Sequence, residues 1–323
     1  MKTKHWLVFI LLGAIWSSSF MWIKIAVQEV GPITLVAFRV LFGLLFSITI
    51  ILIQHVPLPR TFKGWMPFLI LGISNLAIPF FLISWGEQVI DSGVAAILDA
   101  TVPLFAIVFA HLALSDDKMT VPKVAGLLMG FIGVIILMSK SIGVSIGPIL
   151  GQLAVVVASM FYAGSSVYAR KSTTEASGIM RGAGPLFSST AVMWIAAFTV
   201  ERPITIPHLP ITWIALLWLG ILGSGLAFIL NYYLIHEIGP TRTSMVSYLF
   251  PLGGVILGVT ILHEQLTWQV IAGAALILAS LAIANWAPKR QEMDRIQPVQ
   301  TNDERPDPIE PAASEVLSKE YSK

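Results

Sequence analysis

The chain has no cysteine and little charge, and each lack removes a class of molecule. Without cysteine there is neither a disulfide framework nor a thiolate metal site. Charged side chains make up 12% of the 323 residues, against roughly 25% in soluble domains. A surface that faces water on every side needs more charge than this. The formal net charge of +2 is too small to hold a nucleic acid. There is no Walker-type phosphate loop, so nothing points to ATP hydrolysis. HExxH is absent, and the lone His111 has no second histidine or carboxylate at ligand spacing. No cofactor and no metal is expected.

What fills the chain is apolar: 56% of residues are hydrophobic and the mean hydropathy is +0.81. A helix needs about 20 apolar residues to cross the hydrocarbon core of a bilayer. Suitable runs are Trp6–Ala26, Ile33–Ile53, Gly64–Trp85, Ser92–Leu114 and Val121–Met138, then Pro148–Ala169, Gly182–Val200, Ile211–Leu234, Thr243–Leu262 and Trp268–Trp286. The first is too long and too aromatic for a cleaved signal segment, so it is read as a retained helix. With the N-terminus in the cytoplasm, the inner loops collect Lys2, Lys4, Arg60, Lys63, Lys118, Lys123, Arg170, Lys171, Arg181 and Arg242. Lys289 and Arg290 follow on the same side, and the outer loops hold Lys140 and Arg202. The expected fold is an all-α integral membrane protein of about ten transmembrane helices, set in the lipid bilayer of the cell membrane with both termini cytoplasmic. Residues 288–323 are rich in proline and mixed charge and are expected to form a disordered cytoplasmic tail.

The chain also repeats itself. At an offset of 148, Trp65 meets Trp213, Gly72 meets Gly220, Trp85 meets Tyr233 and Pro103 meets Pro251. At 147, Thr120 meets Thr267; at 146, Trp16 meets Tyr162 and Lys24 meets Arg170. The halves are read as residues 6–139 and 147–287. Each has five crossings, an odd number, so the second half enters the membrane from the opposite face. Two inverted five-helix repeats are a common construction of secondary transporters, because two similar halves can exchange conformations around a central cavity.

These residues carry a family resemblance. Gly13-Ala-Ile-Trp16-Ser-Ser-Ser-Phe20 with Lys24, then Phe38-Arg39, then Ala95-Ala96 through Pro103 to Asp116, resemble the EamA-type transporters of the drug/metabolite transporter superfamily. Tyr162-Ala163 with Arg170-Lys171, and Ser244 through Pro251 to Glu264, resemble the same pattern in the second half. The resemblance covers residues 6 to 287. It implies a transporter of small organic metabolites such as amino acids or their derivatives, with export the implied direction. No motif marks a sugar-phosphate or nucleotide-sugar carrier.

Ionisable groups inside an apolar run are costly, so each is a candidate site. Arg39 and Asp99 both lie in helices that enter from the outer face, each roughly 10 Å deep at 1.5 Å per residue. They are natural partners, either as a packing pair or as a site in which Arg39 holds a substrate carboxylate and Asp99 an amine or a coupling proton. Trp16, Ser17, Phe20, Trp85, Tyr162, Ser166, Ser247 and Tyr248 are the aromatic and hydroxyl candidates for a cavity wall. Pro79, Pro103 and Pro251 are expected to kink their helices, freeing carbonyls to line a cavity. Lys24 is expected to snorkel to the interface, and Glu237 and Glu264 to face water. Gly126-x-x-x-Gly130 and Gly254-x-x-x-Gly258 are expected to pack helices within the chain. The rival to a transporter is a membrane-embedded enzyme acting on a small or lipid-linked substrate. It would need a nucleophile, base or metal cluster on one pocket, and the sequence offers none.

Overall fold

A computed structural model describes residues 2–113, 119–139 and 145–284. The expected tail and the positions Asp116, Lys118, Lys140, Lys289 and Arg290 lie outside the described residues. The rest forms helical runs: α1 Thr3–Ala26, α2 Pro32–Ile53, α3 Phe62–Gly86, α4 Ser92–Ala113, α5 Val121–Ser139, α6 Ile146–Ser172, α7 Gly178–Thr199, α8 Pro210–Ile238, α9 Arg242–Ile261 and α10 Trp268–Ala284. No strand occurs among the described residues. In lipid the backbone must satisfy its own polar groups, and a helix does so within one segment.

Eight of these runs are long and apolar enough to cross a membrane. The shorter α10 is also apolar. α7 is outside the eight, because Gly182, Gly184, Ser188, Ser189 and Thr190 replace bulky aliphatic residues along it. Four of those five are buried, as expected of a helix that spends its surface on close neighbours rather than on lipid. Helix starts follow local chemistry. Gly31 precedes Pro32 at the opening of α2, and the Ser177 hydroxyl accepts from the Met180 amide at the opening of α7.

The repeat is visible in the backbone. α2 and α7 begin 146 residues apart, α3 and α8 begin 148 apart, and α5 and α10 begin 147 apart. The Trp65 indole donates to the Pro59 carbonyl at 2.9 Å, and its mate Trp213 donates to Pro207 at 3.0 Å. α3 carries a π-wound segment at Gly72–Ala77, and α8 carries one at Trp218–Leu226. α4 is interrupted between Asp99 and Val102, and its mate α9 tightens to a 3-10 turn at Met245–Tyr248.

Mates run antiparallel. Gly126 of α5 lies against Ser280 and Ala284 of α10, whereas Gly133 lies against Gly273 and Ile277. Glu201, two residues past α7, reaches the start of α2, and Glu264 in the loop after α9 reaches the start of α4. Packing obeys the same exchange: α3 lies on α6 as α8 lies on α1, and α2 lies on α8 as α7 lies on α3. Gly126, Gly130, Gly254 and Gly258 all meet side chains of this chain, so both small-residue motifs are spent on internal packing.

Candidate functional site

All three expected kinks sit where helical winding changes. Pro79 follows the π-wound segment of α3, Pro103 opens the second half of α4, and Pro251 follows the 3-10 turn of α9. A proline cannot bond the carbonyl four residues back. The carbonyls that lose this donor belong to Asn75, Asp99 and Ser247; that of Ser247 accepts a backbone N–H at the end of the 3-10 turn instead.

Arg39 and Asp99 are both buried, at 4% and 6% exposure. They form no ion pair with each other in this conformation. The Arg39 Nε donates to the Ser224 hydroxyl at 3.0 Å, and the guanidinium lies 3.6 Å from the centre of the Phe80 ring. Such a cation–π contact replaces part of the lost hydration. Asp99 Oδ1 has no hydrogen-bond partner among the described residues. Arg39 interacts electrostatically with Tyr162, Glu87 and Asp99, so the charges share one neighbourhood. Ser159 of α6 donates to the Leu98 carbonyl at 3.3 Å, beside the break in α4.

A second group collects around α1. The Trp16 indole donates to the Gly223 carbonyl at 3.2 Å, and its ring meets Phe228 and Phe250 edge-on. Phe20 reaches Phe250 at 6.4 Å between ring centres. Ser17 is buried but turns to the Ala14 carbonyl of its own helix. Both groups meet on the π-wound segment of α8, through Gly223 for Trp16 and Ser224 for Arg39. The run Gly220, Gly223, Ser224, Gly225 is the signal in the sequence that could have pointed there.

Other candidates lie elsewhere. Ser166 is exposed and bonds the Ala163 carbonyl of its own helix; its neighbour Ser165 is buried and bonds Ser74 in the π-wound part of α3. Trp85 is 37% exposed and makes no ring contact among the described residues. Ser247 bonds the Ser244 carbonyl, and both it and Tyr248 are half-buried in the 3-10 turn.

A cavity of about 890 Å3 opens at the end of the bundle where α1, α3 and α9 finish and α8 begins. Its wall includes Lys24, Gln28, Glu29, Asp91, Gln152 and Glu264. Two expectations are corrected here. Lys24 does not snorkel: its ammonium donates to the carbonyl of Glu87 at 2.6 Å, at the negative end of α3, and to that of Ile90 at 2.7 Å in the turn that follows. Glu264 does not simply face water. Its carboxylate accepts from the amides of Ser92 at 2.7 Å and Gly93 at 3.0 Å, where the orphan N–H groups of α4 attract an anion. Glu201 caps α2 in the same way, through Thr34 at 2.6 Å and Ile33 at 3.3 Å. The remaining acid, Glu237, bonds His5 at 3.1 Å at the opposite end of α8.

Comparison with known proteins agrees with this architecture. The model of the EamA-like transporter family matches twice, over residues 4–139 and 149–286. The chain is 24% identical over 283 residues to "Uncharacterized transporter YoaV" of Bacillus subtilis (strain 168), covering 86% of this chain and 96% of that one. It is 28% identical over 259 residues to "Uncharacterized inner membrane transporter YedA" of Escherichia coli (strain K12), covering 79% and 82%. A solved structure, described only as "Crystal structure of protein", superposes with a TM-score of 0.65 at 19% identity, covering 88% of this chain and 98% of that one, and so shares the fold. A duplicated family domain on a bundle of apolar helices makes this a multi-pass membrane transporter, and the chain belongs to the EamA-like transporter family.

Proposed function

We propose that the chain is a secondary transporter that exports small organic metabolites, such as amino acids or their derivatives, by alternating access. Ten crossings form two inverted five-helix repeats over residues 6–139 and 147–287, with both termini in the cytoplasm. The observation that carries this reading is the antiparallel packing of repeat mates, together with buried Arg39 on α2 and buried Asp99 at the break in α4. Two similar halves that pack on each other can trade conformations, and a cavity open at one end then opens at the other. Arg39, held by Ser224 and Phe80, faces substrate with a fixed positive charge suited to a carboxylate. Asp99, with an unbonded oxygen, supplies the site for an amine or a proton. Trp16, Phe20 and Tyr162 form its apolar walls, with Ser17, Trp85, Ser166, Ser247 and Tyr248 as outlying candidates that another conformation turns inward.

A metabolite screen by thermal shift on purified protein, followed by flux into proteoliposomes, tests this. A ligand that stabilises the protein crosses the membrane and is recovered unchanged. Chemical conversion of the ligand without flux would favour the enzyme instead.

A further inference from the structure

Glu87 stands one residue past α3 and is fully buried, at 0% exposure. Neither of its carboxylate oxygens finds a hydrogen-bond partner among the described residues. A buried ionised carboxylate normally collects donors or a paired cation within bonding distance. Glu87 has neither. Lys24 of α1 is beside it, but its ammonium bonds main-chain carbonyls of Glu87 and Ile90 instead of the carboxylate. The other charges that act on Glu87 are Arg39 of α2, Asp99 of α4 and Glu264 beyond α9, two of them acidic. On α6, which packs along α3, the titratable group near this cluster is Tyr162, which interacts with Asp99 and Arg39.

The position matters as much as the burial. Lys24 and Glu264 are in the cavity wall, whereas Arg39 and Asp99 belong to the buried cluster. Glu87 is the group that interacts with all four. Gln152, also in the wall, is 1% exposed with its Oε1 unbonded, so a further polar atom waits on the same route.

We propose that Glu87 is a proton-binding site behind the cavity wall and the group through which transport draws on a proton gradient. Hydronium in the cavity gives its proton to the Glu87 carboxylate and leaves water; the carboxyl later returns the proton to water on the other side. The coupling half of the proposal rests on the transporter reading above, and the binding half does not. A neutral carboxyl is the form that tolerates this dry, donor-free setting. Leaving the proton becomes favourable only when the surroundings change, which is what a coupling group requires.

Infrared spectra of the purified full chain at neutral pH test the site with the proton itself as the probe. The expected result is a protonated-carboxyl stretch that Glu87→Gln removes and Asp99→Asn retains. A Glu87→Gln spectrum with the same protonated-carboxyl intensity as the wild type, or the absence of any such stretch from the wild type, overturns the proposal. Should Glu87→Gln fail to fold, Glu87→Asp must shift the same band, and an unmoved band overturns it equally. In proteoliposomes given a radiolabelled amino-acid mixture, a proton gradient should accelerate wild-type flux, while Glu87→Gln loses that acceleration and keeps exchange. Equal acceleration in both overturns the coupling role. If the wild type moves no amino acid, the transport reading fails while the spectra still decide the proton site.

Discussion

Arg39 and Asp99 were legible in the sequence because an ionisable side chain in an apolar run is conspicuous. Their partners were not. Ser224 and Phe80 are ordinary residues of apolar helices, and only the fold brings them to the guanidinium. Glu87 stood beside a turn, where acids are commonplace, and its full burial follows from packing that no local pattern reports. Nothing in the sequence separates Ser166 from Ser165; the fold bonds Ser165 to Ser74 and turns Ser166 to the Ala163 carbonyl of its own helix. Ser224→Ala should lower stability by about 1.5–3 kcal/mol, the worth of a hydrogen bond to a charged group, read from denaturation in detergent. An unchanged midpoint would mean that Arg39 finds another acceptor. Arg39→Gln and Asp99→Asn should each abolish transport. Because the two form no ion pair here but share one buried cluster, their coupling energy should fall well short of the roughly 3–5 kcal/mol lost when a buried pair is broken. A large coupling energy would show that they pair in the dominant state.

At the level of single elements, composition announced where helices exist better than how they wind. Pro79, Pro103 and Pro251 marked the irregular places, yet proline alone does not distinguish a π-wound segment from a break or a 3-10 turn. The π-wound part of α8 depends on close approach. A Cβ added at Gly220 would sit 2.8 Å from the Arg39 carbonyl and 2.5 Å from the Phe42 Cβ. Gly220→Val should therefore destabilise the protein by about 1–3 kcal/mol and lower transport with it. Wild-type stability in this variant would mean that α2 and α8 separate freely. Helix ends were the least readable feature, because their caps come from distant segments. Glu264→Ala should cost about 0.5–2 kcal/mol, as removal of an N-cap acceptor does. A wild-type denaturation midpoint in Glu264→Gln would show that the carboxylate charge contributes nothing beyond the bond.

For the molecule as a whole, the duplication was readable from matched Trp, Gly and Pro, because those residues hold positions that Leu, Ile and Val do not. Matching indole bonds at Trp65 and Trp213 give those letters a physical meaning. The cavity was not readable, since its wall combines the ends of helices far apart in sequence. Reporter fusions near Pro203 should report the outside and fusions near Thr174 the cytoplasm. The reverse pattern would invert the orientation and place the cavity on the inner face. Alternating access makes one demand that neither a channel nor an enzyme shares. In proteoliposomes preloaded with an unlabelled metabolite identified by thermal shift, entry of the same labelled metabolite should rise above that into empty vesicles, because each loaded return resets the carrier. Labelled entry that is indifferent to preloading, or label recovered in a different molecule, would contradict the account.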